Sequence, residues 1–458
     1  MKKTIVSTIL ICLLLNMISI SIAGYDEKPS IPFANIYVDD DNTQGPWDGT
    51  YEHPYQFIQD GINNADDSDI VYVFNGIYNE NVIIDKSITL FGESNESTII
   101  SDRIIIEKNY VTFSRFKISY IEGYGIHLNG DYNTIKNNII TTISPDYYGF
   151  SYGICLDGDY NIIKNNIIRD INNNAENGKI YGLFSYGNFN SIKNNIIKNI
   201  AHEGYLGKIY GIDSIGNYNN IKNNIISYLN SELGLSLGLY CMDNYNIIEE
   251  NTIKNINSGL GWATGISLLE SSNSKILGNS IDKSNVGIEI AGSIIYPAQT
   301  LVPTDNISIC NNRICKCRIG WDDYWYGGII LTDSTNCYIS NNIFKSNTRD
   351  AYFTFDHILS ENESYEMYEI PEYFNVSMIN SNTWYKNYWG RPRVLPKVIN
   401  GELCVFDHWP EDWWNDYLYK VRLTNTDLNP LSNLYISSQS TQDQSVPSSI
   451  PSGSPTNS

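Results

Sequence analysis

One eleven-residue phrase returns along the chain and leaves few folds open to it. Residues 130–140 read GDYNTIKNNII, and near copies occupy 158–168, 187–197 and 216–226. Degenerate copies follow at 243–253 and 271–281, and further ones end at Ile314 and Phe344. The second Asn of each phrase is Asn138, Asn166, Asn195, Asn224, Asn251, Asn279, Asn312 and Asn342. These positions lie about 28 to 30 residues apart, stretched once to about 33. A period of that length marks a stacked-repeat architecture.

A second signal runs in phase. Tyr124-Gly125-Ile126, Tyr152-Gly153-Ile154, Tyr181-Gly182-Leu183 and Tyr210-Gly211-Ile212 precede the shared turn. Apolar and polar residues alternate within each unit, as in Ile126-His127-Leu128, and a period of two is strand. Most units have no room for a crossover helix. Each strand must therefore lie parallel over its equivalent in the previous coil. The expected fold is all-β, a right-handed parallel β-helix of roughly a dozen coils. The repeated Asn tolerates a left-handed turn, and its amide can bond the amides above and below at about 4.8 Å per coil. The eight asparagines therefore read as a structural ladder.

Open coil ends invite edge pairing, so both need covers. Residues His53 to Ile62 carry apolar side chains at helical spacing and predict a short capping helix. At the other end seven of nine Trp fall between Trp321 and Trp414, which predicts an aromatic cap. Lys2 and Lys3, an apolar run from Ile5 to Ile18 and Ser21-Ile22-Ala23 read as a signal peptide. Uncleaved, that segment would anchor the chain. The expected layout is signal 1–23, N-terminal segment and capping helix 24–68, repeats 69–385, cap 386–436 and a Ser/Pro-rich tail 437–458. The product is a secreted or cell-surface monomer with no membrane span after cleavage.

The net charge is −21 and no basic stripe is present, which argues against nucleic acid. Cys310, Cys315, Cys317 and Cys337 cluster without zinc spacing, and export makes a disulfide among them an expectation. Lys136, Lys164, Lys193 and Lys222 form one outward column, read as a solvated face or a strip for an acidic polymer. Glu249 follows in the same column and is placed to pair with Lys222.

Ile36-Tyr37-Val38-Asp39-Asp40-Asp41-Asn42, Gly45 to Thr50, His53-Pro54-Tyr55 and Gly76 to Val82 resemble the N-terminal region of archaeal secreted β-helix proteins. Asn387-Tyr388-Trp389, Leu395-Pro396-Lys397 and Phe406-Asp407 resemble the C-terminal signature of the same group. That group belongs to the pectin-lyase-like superfamily. Its repeats also occur in the periplasmic copper-handling proteins of nitrous-oxide reductase maturation. The resemblance implies the fold and says little about activity.

A site must be argued separately. One outward column reads His127, Cys155, Phe184, Asp213, Tyr240, Ser267, Glu289. Asp213 and Glu289 fall about three coils apart, roughly 14 Å, too far for a hydrolase pair. Asp131 and Asp159 stack in adjacent coils and are the candidate Ca²⁺ ligands. Trp321, Asp322, Asp323, Tyr324 and Trp325 join carboxylates to aromatic faces and form the candidate carbohydrate-binding patch. Five scattered His give no copper-ligand spacing. The expected role is structural, adhesive or carbohydrate-binding, with a polysaccharide or envelope glycan as partner. The alternative is a polysaccharide-degrading lyase or glycoside hydrolase.

Overall fold

The computed structural model describes residues 36–295, 300–302, 304–318, 326–358, 381–389, 397–406 and 417–427. The expected leader and tail lie outside these residues. The chain winds as a right-handed parallel β-helix. Each coil contributes one strand to each of three sheets, of 13, 12 and 13 strands among the described residues. The first sheet starts at Ile36–Val38, the second at Gly76–Tyr78 and the third at Val82–Ile84.

Registers follow the repeat without slippage through the central coils. Ile135 pairs with Ile163, Ile163 with Ile192 and Ile192 with Ile221. All four are fully buried. Beyond the shared turn the second Ile faces inward, so Ile140, Ile168, Ile197 and Ile226 are fully buried too. Stacked β-branched side chains fill the interior at one layer per coil. The repeated Gly of the third sheet has a steric cause. A Cβ at Gly153 would stand 2.4 Å from Gly182 O and 2.6 Å from a core Ile168 methyl.

The turn after the first sheet divides its work between two asparagines. The first of each pair, Asn137, Asn165, Asn194 and Asn223, takes the left-handed backbone, with φ between 55° and 57°. The second is fully buried and builds the ladder. Asn166 Nδ2 donates to Asn195 Oδ1 at 3.1 Å and to Ile135 O at 2.9 Å. Its backbone N–H donates to the same Asn195 Oδ1 at 2.9 Å. The pattern repeats from Asn138 through Asn342 and adds Asn387 as a ninth member.

A second buried Asn ladder, unexpected from the sequence, lines the turn before the first sheet. Asn133, Asn161, Asn190, Asn219 and Asn246 pass the backbone N–H of one coil to the amide oxygen of the next.

Both covers are present, and the first is shorter than expected. The helix runs Ile58–Asn64 instead of starting at His53. The Glu80 carboxylate accepts the N–H groups of Ile58 at 2.8 Å and Gln59 at 2.9 Å, which sets the first turn there. Residues 48–53 form a turn instead, with Thr50 O accepting from the His53 N–H. At the far end Trp384 and Trp389 are buried, and Trp389 stacks on Phe344 at 4.6 Å. The third sheet finishes with Lys397–Phe406 and the antiparallel Tyr417–Asp427.

Candidate functional site

The second sheet hands the chain to the third through a loop corner, and the corner carries a groove. In four successive coils a glycine precedes the first outward residue of the third sheet. The pairs are Gly178-Lys179, Gly207-Lys208, Gly234-Leu235 and Gly261-Trp262. Lys179, Lys208, Leu235 and Trp262 stand in register and form one wall. Asn177, Leu206, Leu233 and Leu260 form the other, and the enclosed volume is about 640 Å³. The floor is backbone. A Cβ at Gly234 would stand 1.7 Å from Gly207 O, and one at Gly261 would stand 1.8 Å from Gly234 O. Only glycine lets the coils stack this closely there.

The groove is graded along the helix axis. Its early end has two lysines, Lys179 and Lys208, in register in adjacent coils, and the Lys179 ammonium lies 5.6 Å over the Phe150 ring. Its late end is apolar, with Leu233, Leu235, Leu260 and the Trp262 indole. Trp262 Nε1 donates to Thr264 Oγ1 at 2.9 Å, which fixes the ring. Such a surface offers cationic donors at one end and an aromatic face at the other.

The same outer face holds a buried carboxyl group, Asp213, and a half-buried one, Glu289. Asp213 lies between Phe184 and Tyr240 in register and is 5 % exposed. Burial pushes its carboxyl up to about 7, and Lys179 opposes the shift. Its Oδ1 has no hydrogen-bond partner among the described residues. Burial, and after it the Asp213 carboxylate, holds the Tyr181 and Tyr240 phenols well above the usual range and pushes Tyr210 up to about 12. Glu289 is also pushed to about 7 by burial, against the hydroxyls of Ser267 and Thr264 at 3.3 and 3.4 Å. The register keeps the two carboxyl groups three coils apart, as the sequence spacing implied.

The other sequence candidates fall elsewhere. The patch Trp321–Trp325 lies outside the described residues. Asp131 and Asp159 stack as expected, and each has a partner in that position. Asp131 Oδ1 accepts the Asp159 N–H at 2.8 Å, and Asp159 Oδ1 accepts the Asn188 N–H at 2.6 Å. They belong to a third ladder that continues through Asn188, Asn217 and Asn244. No group of three His, Cys, Asp or Glu suited to a metal ion occurs among the described residues. Lys222 meets Glu249 at 3.0 Å, as expected.

The expected disulfide does not form. Cys310, Cys315, Cys317 and Cys337 are free thiols because the coil sends them to different neighbours. Ser340 Oγ donates to Cys310 Sγ at 3.3 Å, Cys317 Sγ lies 3.6 Å from Ser284 Oγ, and Cys337 Sγ donates to Thr335 O at 3.4 Å.

One exposed aromatic row is a poor sugar platform. Tyr110, Tyr132, Tyr160, Phe189, Tyr218 and Tyr245 stack at 4.8 to 5.2 Å with nearly parallel planes. Each interior ring has both faces covered by its neighbours. A sugar needs an open face, so the row offers only edges.

The family model described as "Right handed beta helix region" matches residues 181–362, a stretch that contains most of the groove. Among solved structures, the A-module of a mannuronan C-5 epimerase from Azotobacter vinelandii is 13% identical. That match covers 72% of this chain and 88% of that one, with a TM-score of 0.40. A family 6 polysaccharide lyase from Pseudopedobacter saltans is 14% identical over 68% and 85% of the two chains, with a TM-score of 0.39. A pectin methylesterase from Erwinia chrysanthemi is 13% identical over 69% and 92%, with a TM-score of 0.30. No curated protein matches the chain.

Proposed function

We propose that this protein is an exported glycan-binding rod that holds an acidic polysaccharide in the groove between the second and third sheets. One observation carries the reading: a single groove wall presents Lys179, Lys208, Leu235 and the Trp262 indole in four successive coils. On a chain of net charge −21, two lysines in adjacent coils, with an indole two coils further along the same wall, mark a local anion site. The glycine floor admits a polymer without moving a side chain. The Asn ladders make the rod stiff, which suits an envelope or adhesive role.

Isothermal titration with polygalacturonate and with a neutral glucan tests this. The acidic polymer should bind and weaken with added salt. A Lys179→Ala/Lys208→Ala double variant should lose about tenfold or more in affinity, from two charge-assisted contacts at about 1 kcal/mol each. Equal binding of the neutral and acidic polymers would overturn the proposal.

A second reading, cleavage of the bound polymer, rests on Asp213, whose buried carboxyl holds its proton near neutrality. Release of reducing ends or unsaturated products that disappears in Asp213→Asn would favour it.

A further inference from the structure

Behind the glycine floor, one column of side chains ties each coil to the coil before it. Its members are Asn173, His202, Ser231 and Ser258, in register at the end of the second sheet. Asn173 Nδ2 donates to Gly149 O at 2.8 Å, Ser231 Oγ to Gly207 O at 3.0 Å and Ser258 Oγ to Gly234 O at 2.6 Å. The same residues also hold their own loops. Asn173 Oδ1 accepts the Ala175 N–H at 2.8 Å, and Ser258 Oγ accepts the Gly261 N–H at 2.9 Å.

His202 occupies the same place with a group that titrates, and it holds its own loop while its Nε2 has no hydrogen-bond partner among the described residues. Its Nδ1 accepts the Gly204 N–H at 3.1 Å. Its Nε2 lies against Gly178, and its ring fills the space where a Gly207 Cβ would stand. The side chain is 1 % exposed. An Nδ1 that accepts a backbone N–H cannot take a proton and keep that bond. Burial holds the imidazole below the usual histidine range, and the N–H that Gly204 donates to Nδ1 favours the neutral ring as well.

We propose that His202 is an acid-sensitive latch for the groove: its protonation releases the loop 203–207, which carries Leu206 in one wall and leads into Lys208 in the other. The proposal rests on the groove being the ligand site. The charged groups on the surrounding elements all lie nearer the surface. Glu176, Glu203, Lys208 and Glu232 are exposed, and Lys179 is half-buried. None of them replaces the lost backbone bond. The sign follows from linkage. A histidine depressed in the closed state supports that state fully above its ordinary value of 6.5, and the support is lost as pH falls through the lower folded value. Asp213 titrates in the opposite sense for an anionic ligand, because acidification removes a negative charge near Lys179.

The test uses His202→Asn, since Asn173 makes both bonds one coil earlier. Hydrogen exchange of the full chain is followed from pH 8 to pH 5, with the loops at 174–178 and 232–234 as internal references. In the wild type the 203–207 amides should lose protection selectively at pH 5, and in His202→Asn they should keep it. Polygalacturonate affinity should fall about tenfold in the wild type over the same range and hold or rise in the variant. Wild-type loops that stay protected at pH 5, or a variant that opens equally, overturn the latch. Selective opening with no polymer bound at any pH supports the latch and sinks the glycan reading. If His202→Asn opens its loop already at pH 8, His202→Gln serves as the second variant, and opening in both at pH 8 overturns the latch.

Discussion

Two corners of the same coil solve the same problem with different strictness. At the corner after the first sheet, nine asparagines from Asn138 to Asn387 bond one another and the backbone, and every one has its partners. At the corner before the third sheet, an amide, an imidazole and two hydroxyls hold four successive loops. On the neighbouring face Asp213 Oδ1 is left without a partner. The difference is one of mutual dependence. A ladder amide bonds the amide of the next coil, so a change at one member strands two others. A loop-holding side chain bonds backbone, which every residue type supplies, so its identity is free to vary. Variation collects at the corner where we place the ligand, and the unpaired buried carboxyl lies on the face beside it.

The comparison breaks first at the ladder. Asn195→Ala would strand the buried Asn166 N–H and take one hydrogen bond each from Asn166 Nδ2, Ile163 O and Asn224 Oδ1. A cost of about 5 kcal/mol is expected, at about 2 kcal/mol for the stranded N–H and about 1 kcal/mol for each of the other lost bonds, read from urea unfolding. A loss below about 1 kcal/mol would mean that the ladder is dispensable.

The next effect has the opposite sign and depends on pH. The folded state holds a proton on Asp213 that an unfolded carboxyl releases at its ordinary value of 3.8. Stability from this group is therefore complete below about pH 4 and lost as pH rises through about 7. Asp213→Asn should leave the urea midpoint at pH 4 nearly unchanged and stabilise the protein at pH 8 by up to about 4 kcal/mol. A uniform shift at both pH values would show that packing, not charge, sets the result.

The smallest effect is at the loop-holding column. Ser258→Ala removes two hydrogen bonds at a part-buried site and should cost about 1 to 2 kcal/mol, with exchange faster at 259–261 and unchanged at the ladder. A cost equal to that of Asn195→Ala would erase the distinction between the corners.

The fold was legible because the ladder leaves no choice of residue. An amide that must donate and accept along the axis writes Asn once per coil, and Asn387 was missed only because the last coil is longer. The groove was less legible. Its walls combine Lys, Leu and Trp, and no residue type repeats through all four coils. A signal was present in Gly178, Gly207, Gly234 and Gly261, at intervals of 29, 27 and 27 residues. It was masked by the stronger Tyr-Gly pattern beside it. The latch residue was visible only as one His among five.

The sequence by itself determined the coil, its period, its parallel registers and its inward Ile columns, because each follows from local alternation and a repeated turn. Only the tertiary structure decided which asparagine bends and which one bonds, that Lys179 and Trp262 share one wall, and that His202 lies beneath a glycine floor. These relations reach across as many as 83 positions of the chain. Stacking brings the residues onto one face within a few coils, and no pattern along the chain records which neighbour a loop will meet.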